Sequence, residues 1–178
     1  MLNMLWKEHF EVTPFTQAVV AEKDENGKTV SFVMEGNEGF YVNSTPKKLI
    51  DQACKYFGSS LRGRQDGTKD VSGITHKAPI AIDPVSGMYF FPTTSPQHNN
   101  CSWISHTHID QVKRAKDDMS TIIVFKNQKN VKLPISHGSL LNQIQRTAQF
   151  RYKLTERFHA YPKQGSYDHV AEPFVPST

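Results

Sequence analysis

The chain has 178 residues, 37% hydrophobic, 21% charged and 11% aromatic, which places it in the soluble globular class and allows one compact core, with or without tails. No stretch approaches the roughly 20 apolar residues that a membrane helix needs, the opening MLNMLWKEHFEVTPF is too short and too acidic for a secretory signal, and two cysteines are too few for a disulfide framework. The net charge of +4 hides an asymmetry: residues 1–44 carry three lysines against seven carboxylates, residues 45–157 carry 17 Lys/Arg against eight, and the remainder carries one against two.

A basic middle between acidic ends points to an anionic partner, nucleic acid first among them, although basic surfaces also occur on proteins that bind none. The expected compartment is the cytoplasm, with Cys54 and Cys101 as reduced, buried thiols.

In chain order, residues 17–24 and 28–34 flank Asp24-Glu25-Asn26-Gly27, and Asn-Gly is a hairpin signal. Gly36 to Gly39 forms a further turn before a short strand at Phe40-Tyr41-Val42. Thr45-Pro46 opens a helix over about 46–57: Thr45 caps it, Pro46 suits its first position and Gly58 the position past its end. Leu49, Ile50, Ala53, Cys54 and Phe57 form its apolar face. From Gly58 to Pro79, glycine, serine and basic residues dominate, so this part reads as a long loop or a pair of short edge strands. Ile80-Ala81-Ile82, Met88 to Phe91 and Trp103 to Ile109 read as strands separated by proline-bearing turns. Residues 121–125 and 131–133 flank a second hairpin turn. Ser139, with Ser136 as competing cap, opens the longest helix, about 139–158, with Leu140, Leu141, Ile144, Ala148 and Tyr152 inward and a second stripe at Arg146, Phe150, Lys153 and Arg157. Beyond Phe158 no periodicity remains, and a tail flexible in isolation is expected. Strands between helices, with hairpins and no βαβ alternation, predict an α+β fold with an antiparallel sheet. The expected layout is a single domain over 1–157, made of an acidic N-terminal hairpin region (1–44) and a basic core (45–157), followed by the tail 158–178.

Three groups of residues invite a chemical reading. Arg62-Gly63-Arg64, followed by Lys69 and Lys77, fits arginine insertion into a narrow, electronegative minor groove, because glycine lets a backbone approach closely. It fits a solvated basic loop equally. The stripe at Arg146 could grip phosphates or be the wet face of an amphipathic helix. His106 and His108 alternate on an expected strand. With Cys101, His98 and His76 they allow a zinc site to be imagined, but the spacing matches no standard zinc pattern, and a polar sheet face is the plainer account. No catalytic set is complete: there is no Gly-x-Ser-x-Gly, no phosphate-binding glycine loop and no dinucleotide fingerprint. No catalytic residue, cofactor or metal is therefore expected.

Ordered fragments carry a resemblance. Cys54-Lys55-Tyr56-Phe57-Gly58-Ser59-Ser60, Gly63-Arg64, Gly67-Thr68, Ile74-Thr75-His76-Lys77-Ala78-Pro79-Ile80, Asp83-Pro84 and Phe90-Phe91-Pro92-Thr93 resemble the central block of the ComK competence transcription factors. So do Cys101-Ser102-Trp103-Ile104-Ser105-His106, Leu133-Pro134-Ile135-Ser136 and, in the last helix, Asn142-Gln143, Arg146-Thr147-Ala148 and Arg151. The likeness runs over about 40–157. It implies an activator of the DNA-uptake machinery that binds paired A/T-rich boxes of double-stranded DNA through the minor groove, as dimers and larger homo-oligomers. On this view Arg62, Arg64, Lys69, His76, Lys77 and Arg146 form the DNA-binding set. The family's C-terminal Phe-Met-Leu-Tyr-Pro motif, recognised by the adaptor MecA for delivery to the ClpC–ClpP protease, is similar to Phe158-His159-Ala160-Tyr161-Pro162, which keeps both aromatics and the proline. Phe158, Tyr161 and Pro162 are then the adaptor-binding residues. Two rival expectations stand beside this one: a divergent relative acting as a protein-interaction module, and a metal-dependent nuclease using His76, Cys101, His106 and His108.

Overall fold

The computed structural model describes residues 5–160. It shows an α+β fold of two sheets and three helices: a seven-stranded sheet ordered β1-β4-β3-β2-β7-β6-β5 and a three-stranded sheet ordered β10-β9-β8. Every strand pair is antiparallel except the short β1 (Trp6–Lys7) against β4 (Glu38–Val42).

The first hairpin forms where the Asn-Gly turn places it. β2 (Thr16–Lys23) and β3 (Thr29–Glu35) meet across a turn in which Asp24 Oδ1 accepts from the amides of Asn26 and Lys28, at 2.9 and 2.8 Å, while Gly27 takes φ 77°, a region open chiefly to glycine. In β2, Val19 points to one side of the sheet and Ala18 and Val20 to the other, and both sides are buried. That is why the strand reads as an apolar run without polar alternation.

Helix α1 (Pro46–Tyr56) follows its sequence signals. The Thr45 side chain accepts from the Lys48 amide, Pro46 occupies the first position, and Leu49, Ile50, Ala53 and Cys54 are buried, whereas Phe57, expected on the same face, sits past the last helical turn as the C-cap and is exposed. The four buried residues pack with Val33, Phe40, Ile80, Phe90 and Trp103 on one face of the large sheet.

The next segment corrects the sequence reading. Residues Leu61–Ser72 are a second helix, α2, where a loop or edge strands were expected. Its ends are well signalled: the Ser60 side chain accepts from the Gly63 amide at 3.0 Å, Asp51 Oδ1 accepts from the Leu61 amide at 2.9 Å, and Gly73 (φ 74°) closes the C-terminus. Its interior hid it. Gly63 and Gly67 each cost about 1 kcal/mol of helix propensity relative to alanine, and only Leu61 and Thr68 are buried, too few to write a helical period. Packing against α3 and β5 supplies what propensity lacks.

β5 (Ile80–Asp83), β6 (Met88–Pro92) and β7 (Trp103–Ser105) complete the large sheet. His106–His108 is a 3-10 turn, not a continuation of a strand, so the two imidazoles do not share one strand face. Thr107 ties the turn down by donating to the Gly87 carbonyl at 2.6 Å. β8 (Ile109–Arg114), which the sequence reading did not separate, then pairs with β9 (Thr121–Phe125), and β9 with β10 (Asn130–Leu133). The inner face of this small sheet, Ile123, Phe125 and Leu133, covers the second face of the large one at Ala18, Val20, Phe91 and Ile104.

Helix α3 (His137–His159) is capped by Ser136, which accepts from the Ser139 amide, so the competing cap is the one used. Its buried face is Leu140, Gln143, Thr147 and Phe150. The expected stripe through Ala148 and Tyr152 is exposed, Tyr152 by 66%, and Phe150 leaves the basic stripe to pack on Ala81 and Tyr89, its ring centroid 6.1 Å from that of Tyr89. The buried face is partly polar because Gln143 and Thr147 reach backbone carbonyls, which a search for apolar periodicity does not register. Among the described residues no helix is long and apolar enough to cross a membrane.

Candidate nucleic-acid interface

A groove of about 880 Å³ lies between the first turn of α1, one face of α2, the segment Thr75–Ala78 and the loop Ser95–Gln97. Five cations line it, Lys47, Lys48, Arg62, Lys69 and Lys77, against two carboxylates, Asp51 and Asp66, with His76 also in the wall. On α2 the lining positions 62, 65, 66 and 69 fall at helical spacing, so one face of that helix forms one wall. Asp51 is already committed: Lys55 lies 2.8 Å away, and this ion pair, with the Leu61 amide, holds its carboxyl below the usual range.

Two helix N-termini border the groove, and neither first turn carries an acid. Lys47 and Lys48 instead sit in the first turn of α1, and Arg62 in that of α2, where the helix dipole already places partial positive charge. Cations there are a local cost, and such departures from helix rules mark functional sites. Lys47 and Lys48 were missed as site residues because a lysine pair on the wet side of a helix is ordinary. The available signal was their position, directly after Thr45-Pro46.

The six residues expected at the site divide. Arg62, Lys69, His76 and Lys77 share the groove. Arg64 does not line it. It is half-buried, donates from Nη2 to the Phe57 carbonyl at 3.2 Å, and carries a buried Nε without a partner. The Arg62-Gly63-Arg64 segment is helix, not the expected loop, and residues two apart on a helix project roughly 200° from each other. Arg146 lies behind the wall. Its Nη1 donates to Gln143 Oε1 at 2.6 Å and its Nη2 to the His76 carbonyl. Gln143 Nε2 donates in turn to the carbonyls of Lys77 (3.0 Å) and Pro92 (2.8 Å). Between these anchors Lys77 holds φ 48°, a left-handed conformation that costs a residue with a Cβ about 1 kcal/mol or more. Burial lowers the pKa of Arg146.

The imagined zinc ligands lie apart. Cys101 is buried with its thiol against the Thr94 carbonyl, His106 Nδ1 faces Arg151 Nη1 at 2.9 Å, His108 Nε2 contacts the Pro14 carbonyl at 2.7 Å, and His76 stands in the groove. Among the described residues no three His, Cys, Asp or Glu side chains gather as a metal site. Burial raises both thiols, Cys54 to about 12, so neither is an activated nucleophile. Of the expected adaptor-binding residues, Phe158 is 58% exposed near the end of α3, and Tyr161 and Pro162 lie outside the described residues.

Fold and groove together define an α+β protein that concentrates positive charge in a groove bordered by the N-terminal turns of two helices. The ComK protein family matches residues 7–159. The chain is 42% identical over 158 residues to the competence transcription factor of Bacillus subtilis (strain 168), an alignment spanning 88% of this chain and 81% of that protein. No solved structure matches. The chain belongs to the ComK family.

Proposed function

We propose that the protein is a transcriptional regulator of competence genes, and that its groove binds double-stranded DNA at A/T-rich boxes through the minor groove. The observation that carries this reading is the convergence of Lys47, Lys48, Arg62, Lys69 and Lys77 on one concave surface beside two helix N-termini, in a chain so similar to a protein named as a competence transcription factor. Phosphates are the natural ligands of such a surface, since both the cations and the partial positive charge of the two helix N-termini favour anions. A/T-rich sequence adds the narrow, strongly negative minor groove that draws basic side chains inward. The protein binds paired boxes as a dimer or larger homo-oligomer, in the cytoplasm, and Phe158 offers an adaptor of the MecA type an exposed aromatic anchor.

Mobility-shift titration on A/T-box duplexes and G/C-matched controls tests the reading. Preference for the A/T duplex is expected, with log affinity falling against log salt by about 0.9 for each phosphate neutralised. Equal, weak binding to both duplexes rejects the reading.

A further inference from the structure

Two polar side chains of α3 reach across to the groove wall without lining the groove. Gln143 is 3% exposed, yet every polar group of its side chain is used: the amide nitrogen serves the carbonyls of Lys77 and Pro92, and Oε1 accepts from Arg146. The other terminal nitrogen of Arg146 donates to the His76 carbonyl. Arg146 and Gln143 together thus hold two consecutive carbonyls, those of His76 and Lys77, at the only described lysine with positive φ. From α2, the fully buried Thr68 hydroxyl donates to the Pro79 carbonyl at 2.6 Å. The segment that carries His76 and Lys77 is therefore clamped from both helices, and its left-handed residue is held by backbone contacts, not by its own preference.

We propose that Arg146 and Gln143 are positioning residues of the groove: by fixing the carbonyls of His76 and Lys77 they hold Lys77 in its left-handed conformation and present its ammonium to the nucleic acid. Arg146 then acts through Lys77 and touches no phosphate. This rests on the reading of the groove as a DNA-binding surface.

The two roles for Arg146 separate in a salt-dependent binding series on the full chain, using Lys77→Ala, Arg146→Ala, Arg146→Lys and the double variants. Lys77→Ala is expected to lower the salt slope by about 0.9. Arg146→Ala is expected to lower it by the same amount, and Arg146→Lys to behave as Arg146→Ala, because one ammonium cannot bridge the Gln143 amide and the His76 carbonyl as a planar fork does. In the Lys77→Ala background, either Arg146 substitution should change affinity by less than about twofold, the signature of residues acting as one unit. Wild-type affinity and slope in Arg146→Lys, or double variants that lose the product of the single losses, would overturn the proposal. If Arg146→Ala does not fold, the cycle built on Arg146→Lys makes the same distinction. A wild-type protein that binds no duplex at low salt overturns the groove reading and this one together, whereas wild-type binding with multiplicative losses overturns this one alone.

Discussion

Arg62 and Arg64 are the same residue type two positions apart, and the helix beneath them sends one to the groove and the other toward the Phe57 carbonyl and the buried Cys54. Replacing each by alanine should therefore give different losses. Arg62→Ala should lower the salt slope of DNA binding by about 0.9 with little change in folding stability. Arg64→Ala should keep the slope and lower the urea midpoint, at a cost of about 1 kcal/mol for the hydrogen bond. His106 offers a pH-dependent counterpart. Burial, and then the charge of Arg151, push its imidazole down from 6.5 to about 4, so the unfolded chain takes up the proton first. Stability is then full above about pH 6.5 and falls as pH drops toward 4. With the ring partly exposed, the loss is discounted to about 1–2 kcal/mol. Urea midpoints at pH 7 and pH 4.5 should show the drop, and His106→Gln should flatten it.

At the scale of the element, α1 and α2 contrast two ways of specifying a helix. In α1 the cap, the proline and the apolar spacing agree, and each was readable without coordinates. In α2 the boundaries are written, as Ser60 and Gly73, but the interior is glycine-rich and almost unburied. Local pattern argued for a loop and tertiary contact with α3 and β5 decided for a helix. Gly67 tests this account. It has ordinary helical backbone, and a Cβ placed there meets nothing within 4 Å. Gly67→Ala should thus stabilise the protein by about 0.5–1 kcal/mol, read as a rise in thermal midpoint. An unchanged or lower midpoint would mean that α2 is not helical at that position. In α3, length, C-terminal extent and the inward Leu140 and Ile144 were legible, but the buried Gln143 and Thr147 were not, because they are buried for the carbonyls they reach.

For the molecule as a whole, the large sheet lies between α1 on one face and the small sheet with the start of α3 on the other. This arrangement leaves the N-terminal ends of α1 and α2 at the surface beside the Thr75–Ala78 segment, and it carries the far end of α3 outward to Phe158. The groove proposed to bind DNA and the aromatic proposed to anchor an adaptor then lie on separate surfaces. Replacing Phe158 by alanine, or removing residues 161–178, should weaken capture by a MecA-type adaptor in a pull-down while leaving the mobility shift intact. Loss of both together would show that one surface serves both partners.

Sequence alone was enough for the α+β class, both hairpins, the face of α1 apart from Phe57 and the burial of both cysteines, because turns, caps and apolar alternation are local signals with strong steric causes. It singled out Arg62, Lys69, His76 and Lys77, without showing that they line one groove. It also carried the ordered fragments by which the chain resembles its family. Three-dimensional packing alone made α2 a helix, turned Arg64 away from the groove, placed Lys47 and Lys48 within it, and set Arg146 and Gln143 behind Lys77. Each of these depends on which backbone carbonyl or helix end lies nearby in space, and residues separated by 66 to 70 positions, as Gln143–Lys77 and Arg146–His76 are, leave no periodic trace in the chain.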